Sequence, residues 1–184
     1  LNDFSYYKEL QINIDNFIGE KLYINLIIFF LFALIWVVLL GFGSPLLITS
    51  GILFGKWIGT AISLLSITTG ALILYSLANF FFKDLINKIL DKKFSKYIGL
   101  FKKNEFYYFF VFRLAGGLGI PFPLQNTLPV IFNMKKINYF FSSLLGFVPG
   151  VFIFNSIGFG INKFIKEADN FSFINLIFSE EIYF

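Results

Sequence analysis

The chain has 184 residues, of which 57% are hydrophobic and 14% charged, and its formal net charge is +4. A soluble domain carries about a quarter charged residues, so these figures exclude an ordinary water-soluble globule and a disordered chain alike. With no Cys and no His there is no disulfide, no haem or zinc ligand, no thiol nucleophile and no imidazole base.

The class this leaves is an all-α integral membrane protein. Residues 1–21 are polar, with Asp3, Lys8, Glu9, Asp15 and Glu20, and read as an N-terminal cytoplasmic segment. A span needs roughly 20 apolar residues, and the uncharged stretch 22–41 supplies the first. Residues 42–56 are apolar but too short to span, and Gly43, Pro45 and Gly51 interrupt them. That pattern predicts a re-entrant hairpin, followed by a second span over 57–82.

Residues 83–103 form a Lys-rich linker in which Ile86, Leu90, Phe94, Tyr97 and Phe101 recur at helical spacing, with Lys88, Lys92 and Lys96 on another side. This predicts either a basic amphipathic helix on an anionic leaflet or a solvated connector. A second hairpin follows over 107–134. Its uncharged part, 114–134, holds three Gly and three Pro and cannot be one regular helix. Residues 137–161 give a third span, with a kink expected at Pro149-Gly150. The polar tail 162–184 leads towards a further span expected beyond the last residue.

All five prolines lie in apolar stretches. Broken backbone in a membrane must be buried in protein or line a wet cavity, so the prolines mark a cavity. An offset of 78 residues sets Pro45-Leu46 on Pro123-Leu124, Thr49 on Thr127 and Phe54 on Phe132. The expectation is about three spans plus two opposed hairpins forming an inverted repeat. Lysine asymmetry orients it: with 83–103 and the N-terminus in the cytoplasm, eleven lysines fall inside, while Lys56, Lys163 and Lys166 fall outside.

The chain has a single arginine, Arg113, just before the broken segment 114–134. A guanidinium is always charged and presents a planar fork suited to phosphate. It suits an anion, a lipid phosphate at the cavity mouth. It suits equally the orphan carbonyls of a broken helix. Ser44 and Thr49 in the first hairpin, and Gln125 and Asn126 in the second, can bond frayed backbone or a headgroup. Pro45, Gly51, Gly55, Gly116, Gly117, Pro121, Pro123, Pro149 and Gly150 are the expected break positions. No carboxylate lies inside a predicted apolar segment, which gives little support to proton coupling.

The stretch PLLITSGILFGKWIGTAISLLSITTGALILYSLANFFFKD resembles the first half of the VTT domain of SNARE-associated Golgi proteins and DedA-like bacterial proteins. FRLAGGLGIPFPLQNTLPVIFNMKKINYFFSSLLGFVPG resembles its second half, on Arg113, Pro121-Phe122-Pro123, Asn126 and Pro149-Gly150. The resemblance covers about residues 40–165. It departs from the DedA pattern at Ser44, near which an acidic residue is expected, and at Asn79, where an arginine is. It implies a multi-pass lipid-handling membrane protein with two opposed re-entrant hairpins.

The expected function is therefore transbilayer movement of a phospholipid or polyprenyl phosphate, with membrane lipids as partners. The alternatives are a small ion or solute transporter and a non-transporting scaffold. No enzyme activity, cofactor, metal or nucleic-acid partner is expected. Lys-rich, Arg-poor usage points to a bacterial inner membrane.

Overall fold

A computed structural model describes the backbone of residues 3–39, 41, 43–89 and 92–167, and the side chains of these except 3–5 and 83–97. Among the described residues the chain is all helix: α1 (Asp3–Glu20), α2 (Leu22–Val38), α3 (Gly43–Ile89), α4 (Lys92–Lys103), α5 (Glu105–Leu114), α6 (Phe122–Thr127) and α7 (Lys136–Glu167). Short 3-10 turns at Gly116–Gly119 and Leu128–Phe132 flank α6. Two stretches, Gly43–Phe82 and Lys136–Glu167, are long and apolar enough to cross a membrane. A third candidate is the pair α1–α2 taken together, which is bent by 101°. Lys88, Lys92 and Lys96, the expected leaflet contacts, have side chains outside the described set, although α4 is helical as the spacing requires.

The chain divides into two compact units. The first comprises α1, the start of α2, the fold-back of α3 and the end of α7. α3 is not one rod. At Gly55 the backbone takes φ 74 and ψ 176, and beyond it the chain runs back on itself. Ser50 Oγ consequently donates to the Gly59 carbonyl at 3.1 Å, a pair that about 13 Å would separate in a straight helix. The chain reversal thus falls at the far end of the stretch 42–56. Gly51, expected as a break, stays helical and serves packing: a Cβ there would strike the Asn155 backbone. Gly158 similarly lets α7 meet the backbone at Ile48.

The same unit holds a contact between the two ends of the described chain. Asp15 in α1 pairs with Lys166 and accepts the Asn162 amide at 3.4 Å. α1 therefore sits at the C-terminal end of α7. The expectation that residues 1–21 and Lys166 face opposite sides did not foresee this pairing.

The second unit contains the end of α2, the long arm of α3, α4 to α6 and the start of α7. Its core is aromatic. Tyr75, Phe109 and Tyr139 are buried, and Tyr75 stacks on Tyr139. The break expected around Gly116, Gly117 and Pro121 is present: Gly116, Gly117, Leu118 and Gly119 all hold positive φ, and Pro121 precedes α6 in extended conformation. Pro123 falls in the first turn of α6, where a missing N–H costs nothing. α7 runs on through Pro149 and Gly150 without a non-helical residue, so the helix is not interrupted at the expected kink.

Candidate functional site

Arg113 lies in the last turn of α5 and is only 3% exposed. Two features carry the helix there. Gly146 of α7 has no side chain, and a Cβ at that position would press on the Arg113 Cβ and the Phe110 carbonyl. α5 and α7 therefore cross in backbone contact. The Gly-rich turn then reverses the chain, so that α6 brings Gln125 and Asn126 back beside the guanidinium. Gly117, at φ 70, is needed twice over: for its conformation, and because a Cβ would occupy the place of the Gln125 side chain.

Four of the five guanidinium hydrogens have partners. Nε donates to Ser143 Oγ at 3.3 Å and Nη1 to Gln125 Oε1 at 3.3 Å. Nη2 donates to Asn126 Oδ1 at 2.7 Å and to the Tyr139 hydroxyl oxygen at 2.9 Å. The cation also lies over the rings of Phe109 and Phe147, 4.6 Å and 4.5 Å from their centroids. Every partner is neutral. Among the described residues no carboxylate pairs with Arg113.

The acceptors are held in turn. Gln125 Nε2 donates to the Ile120 carbonyl at 2.6 Å and the Gly116 carbonyl at 3.3 Å, satisfying the broken backbone that the sequence implied. The Tyr139 hydroxyl lies 3.2 Å from the carbonyls of Ala71 and Asn126, either of which accepts its proton. The bonds of Arg113 all go to side chains, and it is Gln125 that serves the carbonyls of the break.

Ser44 and Thr49 are not among the partners of Arg113. Both are exposed on the first arm of α3, and Thr49 donates to the Pro45 carbonyl of its own helix at 2.9 Å. None of Tyr139, Ser143, Phe109 and Phe147 was among the site residues expected from the sequence. Their only signal was a hydroxyl or ring amid an apolar run, which ordinary packing explains as well.

The face of α6 turned away from Arg113 borders an apolar groove of about 510 Å³. Leu124, Leu128 and Ile131 line it with Ala78, Phe82 and Ile120. One short broken segment thus presents amide side chains to a cation and leucines to a hydrocarbon-like slot.

At the start of α5, Glu105 is buried and accepts the Lys135 backbone N–H at 3.1 Å and the Asn138 amide at 2.6 Å. It caps the N-terminus of α7 and ties α5 to it.

Comparison with protein families matches the VTT domain model over residues 37–160, about two thirds of the chain. The chain belongs to the VTT-domain family. That agrees with an all-helical protein whose apolar helices suit a membrane, and with the DedA-like kinship that the residues around Arg113 resemble. No solved structure gives a significant match.

Proposed function

We propose that this VTT-domain protein moves phosphate-bearing lipids between the leaflets of a bacterial inner membrane. The observation that carries the reading is a buried guanidinium whose partners among the described residues are all neutral, held by a segment whose other face opens on an apolar groove. A buried cation without a counter-ion is costly, and an anion entering beside it offsets that cost. A lipid matches both surfaces, phosphate towards Arg113 and acyl chain along Leu124 and Leu128. Nothing here makes or breaks bonds; the protein lowers the cost of taking a headgroup out of water.

Local structure favours a duplicated unit around that path. Gly55 and Asn133, brought into register by the 78-residue offset, both hold positive φ, and a long helix follows each. Thr49 and Thr127, also equivalent, both donate to the carbonyl of the proline four residues earlier. Paired broken segments are the usual mark of a transport path. We accordingly assign the two segments as opposed re-entrant hairpins.

Reconstitution tests the reading. Liposomes carrying a fluorescent phospholipid in both leaflets, treated with an impermeant quencher, should lose well over half their signal when the protein is present. Quenching that stalls at half, with phospholipid and polyprenyl phosphate alike, would overturn the assignment.

A further inference from the structure

α1 has three faces rather than two. At helical spacing, Lys8, Gln11, Asp15 and Ile18 form the stripe turned to the protein, with Gln11 and Ile18 buried. A second stripe, Tyr7, Leu10, Ile14 and Phe17, repeats the same spacing one residue earlier and is exposed, between 38% and 59%. The third, Glu9, Asn13, Asn16 and Glu20, is polar and exposed as well.

The inward stripe is fixed by polar contacts. Asp15 accepts from Gln11 at 3.1 Å and from Asn162, and pairs with Lys166. The turn to α2 is fixed too, since Asn25 Nδ2 donates to the carbonyls of Phe17 and Ile18 at the end of α1, both at 3.4 Å. These contacts bridge the 101° turn between α1 and α2.

A helix with one face on protein, one aromatic-aliphatic and one polar fits a single surroundings, the boundary between hydrocarbon and water. We infer that α1 is an interfacial helix, lying in the membrane plane at the end of α7 marked by Lys166. Tyr7, Leu10, Ile14 and Phe17 sit in lipid, and Glu9, Asn13, Asn16 and Glu20 in water. Two observations identify lipid as the occupant of the apolar stripe. The right-angle turn lays α1 across the direction of α2, whose own Tyr23, Ile24, Ile27, Ile28 and Leu31 are exposed and apolar, so the lipid-facing surface continues from one helix to the next. The neighbouring polar stripe would be stranded if a second chain covered both. The inference holds whatever the protein transports.

The absence of cysteine makes the test direct. Single cysteines replacing Leu10, Ile14, Phe17, Asn13 and Asn16 would carry spin labels in vesicles of phosphatidylcholine and phosphatidylglycerol. Labels at 10, 14 and 17 should relax several-fold more with oxygen than with a water-soluble nickel chelate, and those at 13 and 16 the reverse. Nickel access at 10, 14 and 17 would put α1 in water. Shielding from both reagents, with spin-spin broadening, would make the stripe a contact between copies. Either result overturns the inference. An impermeant maleimide should label Asn16→Cys and Lys163→Cys from the same side of the vesicle; labelling from opposite sides would also overturn it.

Discussion

The ring of Tyr139 lies flat against that of Tyr75, centroids 4.6 Å apart and planes within 11°, while its hydroxyl receives a hydrogen from Arg113 Nη2. One side chain thereby joins the aromatic core of its unit to the buried cation. Tyr75 is anchored in turn, donating to the Met134 carbonyl at 2.6 Å.

Removing only the hydroxyl should separate these two jobs. In Tyr139→Phe, Arg113 Nη2 keeps Asn126, so the loss is that of a buried hydrogen bond, about 1–3 kcal/mol. Tyr139→Ala also empties the space of a ring and should cost about 3–5 kcal/mol. Thermal unfolding of the detergent-solubilised protein reads both, and equal losses would deny the ring its share.

Gly55→Ala isolates backbone strain. Its Cβ would meet nothing nearer than a Phe159 ring atom at 3.7 Å, so space is available, but φ 74 with ψ 176 is a conformation that essentially only glycine adopts. A loss of about 1–3 kcal/mol in the same assay is expected. Gly51→Ala should also destabilise, but through collision with Asn155, so a smaller residue at 155 cannot relieve it: the atoms struck are backbone.

The fold class and one break were legible because composition and Gly/Pro content act locally. The run from Gly116 to Pro121 could not be one regular α-helix in any surroundings, and it is not one in the structure. The first reversal falls at Gly55, one of the expected break positions, but Gly51 was expected to break as well, because only packing against α7 tells a contact glycine from a turning one. Arg113 stood out as the sole arginine, yet Ser143 and Tyr139 are 30 and 26 residues away, and nothing local ties them to it. The contact of α1 with the end of α7 was not legible, because lysine counts carry no information on tertiary pairs such as Asp15–Lys166.

Glu105 offers a graded test of the α5–α7 junction. Glu105→Gln retains an acceptor for the Lys135 N–H and should lose little stability, under about 1.5 kcal/mol. Glu105→Ala leaves that N–H and the Asn138 amide without their partner and should lose about 1–3 kcal/mol. Unfolding midpoints in the order parent, Gln, Ala would bear this out; Gln falling as far as Ala would assign the effect to the charge instead.

On the proposed function, the fork of Arg113 and not merely its charge receives a lipid phosphate. The most direct measurement is the transbilayer rate of one phospholipid, and of a neutral lipid lacking phosphate, for the parent, Arg113→Lys and Arg113→Ala in the same liposomes, each variant first shown to be folded. The expected result is transfer of the phospholipid by the parent, a residual fraction with lysine, which keeps the charge without the fork, and none with alanine, while the neutral lipid is not moved at parental rate. Equal phospholipid rates in all three proteins would contradict it.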